Sequence, residues 1–433
     1  MRWGVRRSGR DRSRNGVETS VGIFAWDPYY REQSFDSYHL SKDEREMKLL
    51  NLFLFSCIVL VLLNYPVLGQ QDLPGEADST DPPAAEGQAK VEFDRLFYEW
   101  KDLLAQIQKL YNEYQVAKPE DRARIEEEYP PLLEKATELR SRLLLSAEKA
   151  YQEAPNVNKE LAVFLRDTLQ QYLEKDAYED AFRCGEILIA GKHPDQRIYN
   201  WTGVAAYVIN NLDAADKYFK IADAQGVLEG PGLQFSNNLP RQRRLWAEEK
   251  AIREQEANDA DDPNKALPRV LLKTNRGDIV IELFENQAPN TVANFINLVE
   301  KKSYNGLTFH RVLENFMAQG GCPKGDGTAG PGYSIPCECH TDNYRKHFRG
   351  TLSMAHAGRD TGGSQFFLTF LPTAHLDGQH TAFGRVVEGM DVLQKIKRRD
   401  PDKEDAPEPD KIIEARVLRK RPHDYIPTKT GQR

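Results

Sequence analysis

The side chains that could do chemistry lie between positions 311 and 380, where hydrogen-bonding groups stand among large apolar residues. One arginine and two glutamines, Arg311, Gln319 and Gln365, are interleaved with phenylalanines and a methionine. Taken singly, Arg311 could be a surface arginine and the phenylalanines could belong to a core. Packing alone does not explain the combination, and preorganised donors act most strongly where apolar neighbours exclude water. The pattern indicates a pocket with directed donors in its wall.

Four short motifs around these residues resemble those of cyclophilins, in the same order and spacing. They are FHRV at 309–312, FMAQGG at 316–321, GSQFF at 363–367 and LDGQH at 376–380, and the similarity extends through 350–355 and 381–386. The resemblance covers residues 268–420 and does not reach the rest of the chain. It implies a peptidyl-prolyl cis/trans isomerase domain with a closed antiparallel β-barrel and capping helices.

The chemistry of that family explains the residue types. Amide resonance gives the prolyl bond a rotation barrier of ~18–20 kcal/mol, and its loss in the twisted amide makes the proline nitrogen a hydrogen-bond acceptor. The resemblance assigns the donor to Arg311 and its orientation to Gln319, with Phe316 and Phe367 completing the catalytic set. No bond is broken, so His310 and His380 are not expected to transfer protons. No metal or cofactor is expected.

The resemblance also implies a substrate-binding set, in which Gln365 hydrogen-bonds the peptide backbone. Its members are Met317, Ala355, His356, Gln365, His375, Leu376 and His380. Two positions depart from the family pattern. His375 stands where many cyclophilins carry tryptophan, and His356 where many carry asparagine. We therefore expect near-normal isomerase activity with weak inhibition by cyclosporin.

The elements around these motifs are mainly short strands. Two β-rich runs, 270–274 and 279–284, are joined by the hairpin signal Asn275-Arg276-Gly277-Asp278. Pro289 then opens a helix whose apolar face is Val292, Phe295, Leu298 and Val299. Glycine-rich turns separate the later strands. This arrangement suits a closed barrel.

Residues 91–257 carry the three-and-four spacing of amphipathic helices, with a break predicted at Pro130-Pro131. Positions such as Leu169 and Tyr178 recur 34 residues later as Gly203 and Leu212, a period that resembles tetratricopeptide repeats. Such a stack could hold a protein partner, or it could be a spacer or dimerisation element; the sequence leaves both open. An acidic linker is predicted at 258–267 and a C-terminal tail at 421–433.

The apolar segment 49–63 follows basic residues and is shorter than the ~20 residues of a membrane span. It predicts a signal peptide or signal anchor over 47–69, with 49–68 as the possible anchor. Residues 1–46 are interpreted as a disordered extension or an over-extended gene start, and 70–90 as a flexible linker. Both topologies place the domains outside the cytoplasm, as a periplasmic, secreted or membrane-anchored protein.

Outside the cytoplasm, the clustered cysteines favour a disulfide. Cys322 would pair with Cys337 or with Cys339, and a metal site built with His340 is the alternative.

The charge and composition limit the partners. The net charge of −7 is spread along the chain, which argues against nucleic acid. The sequence thus predicts an isomerase acting on proline-containing peptides and unfolded proteins to assist folding of extracytoplasmic proteins. The alternative is a non-catalytic proline-peptide-binding scaffold whose helical repeats are the main interaction module.

Overall fold

The computed structural model describes residues 87–432. The predictions for 1–46 and 47–69, and most of the linker predicted at 70–90, lie outside the described residues. Among 87–432, none of the helices combines the length and the apolar character that a membrane span requires.

The N-terminal part of the described chain is helical. Its helices are α1 (Gln88–Val116), α2 (Pro119–Glu153), α3 (Lys159–Glu174), α4 (Tyr178–Ala190), α5 (Arg197–Val208), α6 (Leu212–Ala224) and α7 (Gly230–Asn258). The first helix buries the apolar face that its spacing predicts, including Phe93, Leu96 and Trp100. The short connection after it folds α2 back along α1, so the two form the first layer of the core.

The predicted break at Pro130-Pro131 is wrong, because α2 continues through both prolines. Proline removes backbone hydrogen bonds from a helix, but burial on both sides of the pair holds the two halves in line. Ile125 and Tyr129 are buried before the prolines, and Leu139 and Leu143 after them. Packing against α1 therefore overrides the local penalty.

The 34-residue period coincides with two helix pairs, α3 with α4 and α5 with α6, since α4 begins at Tyr178 and α6 at Leu212. Small residues let paired helices approach. A Cβ added at Gly203 would lie only 2.6 Å from Phe219 Cε1. The tetratricopeptide resemblance itself stays a prediction.

The C-terminal part is built on one eight-stranded sheet in the order β3-β4-β7-β6-β8-β2-β1-β9. Its strands are β1 (Arg269–Thr274), β2 (Gly277–Leu283), β3 (Arg311–Leu313), β4 (Met317–Gly320), β6 (Thr351–Met354), β7 (Phe366–Thr369), β8 (Ala382–Glu388) and β9 (Ile412–Arg419), while β5 (Tyr333–Ser334) pairs with β10 (Gly431–Gln432). Two helices pack on it, α8 (Pro289–Glu300) and α9 (Met390–Lys395). All neighbouring strands are antiparallel.

The sheet is curled, but the prediction of a closed barrel is not met. Its two end strands, β3 and β9, form no ladder with each other, and only the segments that precede them are joined, by an isolated bridge between Thr308 and Lys411. The short β3 instead bridges to Arg399 through Val312. The result is a half-barrel with an open seam.

The C-terminal tail predicted at 421–433 packs on the domain. Tyr425 is 4% exposed and belongs to the sheet's core, and β10 pairs with β5. In the predicted linker, Ala266 and Leu267 are buried. Both segments therefore tie the two ends of the sheet domain to its core.

Candidate active site

The sheet register brings the predicted catalytic residues into one row. The β3–β4 ladder pairs Arg311 with Gln319, and the β4–β7 ladder pairs Gln319 with Phe367. Side chains directly opposite one another in antiparallel strands project to the same face. Phe316 lies in the turn between β3 and β4, with the Arg311 guanidinium carbon 6.0 Å from its ring centroid.

These residues line a cavity of about 810 Å³. Ten of the predicted site residues contribute to its wall: Arg311, Phe316, Met317, Gln319, Ala355, His356, Gln365, Phe367, Leu376 and His380. His375 is exposed beside this wall, with its ring 5.8 Å from that of Phe316. Strands, a turn and two loops that are far apart in sequence thus converge on one opening.

The two glutamines are linked to each other. Gln319 Nε2 donates to Gln365 Oε1 at 3.0 Å. Gln365 Nε2 donates to the carbonyl oxygens of Gly327 and Ala329, at 2.8 and 2.9 Å. Gln319 therefore positions the Gln365 side chain directly. It is connected to Arg311 only as its partner in the backbone ladder between β3 and β4. The role predicted for Gln365, bonding to a peptide backbone, stays a prediction.

The loop at 324–334 forms part of the cavity wall, and its residues were not predicted from the sequence to belong to the site. Lys324, Tyr333 and the run from Gly327 to Ser334 line the opening. The glycine-rich composition of this run was the available signal, because several of its glycines, such as Gly327 and Gly332, adopt positive φ.

Phe367 is supported from behind by buried polar groups. The His347 ring stacks on it at 6.1 Å with an interplanar angle of 11°. His347 Nδ1 lies 3.0 Å from Asp377 Oδ1 and its Nε2 lies 2.8 Å from Ser353 Oγ. This support fixes the ring that faces the cavity.

His380 lines the cavity as a neutral side chain. Its Nδ1 lies 2.9 Å from the Met354 carbonyl oxygen, which can only accept, so Nδ1 carries the proton. Burial lowers the pKa of His380, and the neighbouring His356, whose ring stacks on it at 4.1 Å, acts in the same direction. Burial likewise lowers the pKa of His310, which lies outside the cavity wall. Neither environment favours the protonated imidazole that a general acid would need at neutral pH.

The predicted disulfide is not formed, since Cys322, Cys337 and Cys339 are free thiols. Each sulfur has another neighbour. Cys322 Sγ lies 3.6 Å from Asp326 Oδ1, Cys337 Sγ lies 3.2 Å from the Asp360 amide nitrogen, and Cys339 Sγ lies 3.7 Å from His340 Nε2. Within 87–432, no group of three or more His, Cys, Asp and Glu side chains is arranged to hold a metal.

The geometry describes a binding groove with a guanidinium in its wall. Apolar side chains offer a surface for a small ring, and Arg311 supplies a donor at its edge. Nothing in the row Arg311–Gln319–Phe367 is a nucleophile or a proton-transfer group. The site can therefore hold a polar atom against a guanidinium in a partly dry environment.

Known proteins with this region were compared with the chain. A model of the family "Cyclophilin type peptidyl-prolyl cis-trans isomerase/CLD" matches residues 269–417. A peptidyl-prolyl cis-trans isomerase of Helicobacter pylori is 58% identical over 131 residues, covering 30% of this chain and 80% of the relative. One from Synechococcus elongatus is 53% identical over 136 residues, covering 31% of this chain and 92% of the relative. A solved Cryptosporidium parvum cyclophilin type peptidyl-prolyl cis-trans isomerase, in the presence of dipeptide ala-pro, is 31% identical and covers 35% of this chain and 99% of that chain, with a TM-score of 0.32.

Proposed function

The chain belongs to the cyclophilin-type peptidyl-prolyl cis-trans isomerase family, and we propose that its sheet domain catalyses rotation about Xaa-Pro bonds and thereby assists the folding of extracytoplasmic proteins. The observation that carries the catalytic part is the row of Arg311, Gln319 and Phe367 across three adjacent strands at the wall of one cavity.

Arg311 is the group that favours the transition state. Rotation through ~90° removes the resonance that gives the prolyl bond its ~18–20 kcal/mol barrier, and the lone pair of the proline nitrogen is then localised on that atom. A guanidinium at the cavity edge donates to that lone pair and has no comparable acceptor in the planar ground states. The interaction is therefore stronger in the transition state than in either isomer, which is the condition for catalysis.

The apolar wall holds the proline ring while the preceding carbonyl turns. Phe367 is only 5% exposed and is fixed by His347, whereas Phe316 is half-buried beside Arg311. Such a wall binds both isomers alike and sets the position of the nitrogen relative to the guanidinium. Proline-containing segments of unfolded chains are thus the proposed substrates.

The extracytoplasmic placement rests on the signal-like segment 47–69, and the helical region is proposed to hold a client or partner near the cavity. A reporter enzyme that is active only outside the cytoplasm, fused after residue 70, tests the placement. Reporter activity with residues 47–69 and none after their deletion is expected. Equal activity in both fusions would contradict it.

The folding role is tested with a denatured protein whose refolding is limited by an Xaa-Pro bond. The full chain at catalytic concentration is expected to accelerate this slow phase, and Arg311→Ala is the matched inactive control. A chain that binds the unfolded protein but leaves the slow phase unchanged would favour the non-catalytic scaffold.

A further inference from the structure

The turn between α3 and α4 places a buried carboxylate against the catalytic hairpin. Asp176 lies in this turn with φ of 57°, a left-handed conformation that aspartate tolerates better than most residues. Its side chain is 0% exposed, although it belongs to the helical region and not to the sheet. A buried carboxylate is costly unless it is paired and hydrogen-bonded, and Asp176 has partners of both kinds.

The first partner is the tip of the β3–β4 hairpin. The Asn315 backbone N–H donates to Asp176 Oδ1 at 3.1 Å. Tyr178 is the first residue of α4. Its hydroxyl donates to the same oxygen at 2.9 Å and lies 3.1 Å from Asn315 Oδ1. Asn315 itself has φ of 52°, and it directly precedes Phe316. The helical region therefore holds the turn that carries a cavity residue.

The second partner lies on the outer side of the same hairpin. Arg398 Nη2 donates to Asp176 Oδ2 at 2.6 Å. The next residue, Arg399, forms a backbone bridge with Val312 of β3, in which both N–H···O distances are 2.7 Å. The Arg398 guanidinium carbon also lies 4.1 Å from the centroid of Phe370, whose amide nitrogen lies 2.9 Å from the Phe316 carbonyl oxygen. One carboxylate thus joins the tip and the free edge of the hairpin.

By holding the tip and the edge of the hairpin, Asp176 also holds the Arg311–Gln319 pair at the other end of the hairpin. The hairpin is short, and only two ladder pairs lie between its tip and the Arg311–Gln319 pair. A shift of the tip is therefore transmitted to the guanidinium and to Phe316 together. Misplacing a catalytic group by about 1 Å can lower a rate ~10²-fold.

We propose that Asp176 is a positioning residue for the isomerase reaction, through which the helical region sets the placement of Arg311. This inference rests on the proposed isomerase activity. It predicts that Asp176 contributes to turnover without touching the substrate.

The test compares full-length variants on a short Xaa-Pro peptide, with kcat, KM and the melting temperature measured for each. Asp176→Ala is expected to lower kcat about tenfold and to leave KM within about twofold, because Arg311 acts mainly in the transition state. Asp176→Asn keeps an oxygen that can accept from Asn315, and it is expected to recover most of the loss.

The matched control is Glu179→Ala, in the first turn of α4, the helix that follows Asp176. Glu179 is about half exposed and pairs with Arg349 of the sheet domain, whereas Asp176 binds Asn315 and Arg398. It is expected to lower the melting temperature and leave kcat unchanged. If Asp176→Ala lowers stability as this control does and keeps the wild-type kcat, Asp176 only stabilises the interface and the inference is wrong.

Two further measurements keep the outcomes separate. Should Asp176→Ala fail to fold, Tyr178→Phe removes only one hydroxyl and is expected to lower kcat about twofold to threefold, and an unchanged kcat would contradict the proposal. A wild-type chain without isomerase activity would refute the proposed function instead. Hydrogen exchange at the Asn315 amide would then still report whether Asp176 holds the hairpin, and equal exchange in wild type and Asp176→Ala would refute that contact.

Discussion

Replacing Arg345 with alanine should open the interface between α7 and the sheet domain. Arg345 lies between β5 and β6 in the chain and its side chain is 1% exposed. It donates to both carboxylate oxygens of Glu249, at 3.0 and 2.6 Å, and it also binds Glu256. Its guanidinium carbon lies 3.7 Å from the Phe284 ring centroid. Two buried glutamates of α7 therefore share this one cation.

The size of the effect follows from what remains after the substitution. Removing one partner of a buried ion pair typically costs about 3–5 kcal/mol, because the other charge stays buried. Here Glu249 keeps Arg253 at 2.7 Å and Glu256 keeps Arg385 at 2.7 Å. We therefore expect the lower end of the range, about 3 kcal/mol, which corresponds to ~10²-fold more frequent opening of the interface.

Hydrogen exchange resolved by peptide is the suitable assay, because local opening is measured without unfolding the whole chain. Protection is expected to fall in α7 and around residues 345–348 and to persist in the helices α1 and α2. The control is Arg253→Ala, since Arg253 is one-third exposed and binds the same Glu249; about 1 kcal/mol or less is expected. Equal effects of the two variants would show that solvent already screens the network and would refute the reasoning.

Two other predictions concern acid and inhibitor. Although burial acts to raise it, the pKa of Glu249 is held below its ordinary value of 4.5 by Arg345 and Arg253, so its stabilising contribution is present above that pH and is lost as the pH falls further. Thermal melts below pH 4.5 should show a smaller acid-dependent loss in Glu249→Gln than in wild type, and equal losses would contradict this. Cyclosporin should inhibit the wild type weakly and His375→Trp more strongly; nanomolar inhibition of the wild type would contradict the expectation.

The site was largely predictable because its chemistry is concentrated in short motifs. Arg311, Gln319 and Phe367 were identified from residue type and from the cyclophilin resemblance, and the ladders place them in one row. The hydrogen bond from Gln319 to Gln365 was not predictable, because it depends on how the side chains are oriented in the folded structure.

Other features depend on contacts between residues that are far apart in sequence, which a local sequence pattern does not reveal. Asp176 and Asn315 are 139 positions apart, so no spacing rule connects them. The prolines of α2 were read by their intrinsic preference, which packing against α1 overrides. The prediction of a closed barrel was wrong for a similar reason, since Val312 of β3 bridges to Arg399 and not to β9.

Arg311 is proposed to catalyse prolyl rotation, and the cis-to-trans rate of a short Xaa-Pro peptide, measured with the full chain, tests this role without further assumptions. Uncatalysed exchange takes tens to hundreds of seconds, and the wild type is expected to be much faster. The kcat of Arg311→Ala is expected to be about 10²–10³-fold lower than that of the wild type. Arg311→Lys keeps the charge but loses the planar fork, and it should recover little. An Arg311→Ala variant as fast as wild type would contradict the account.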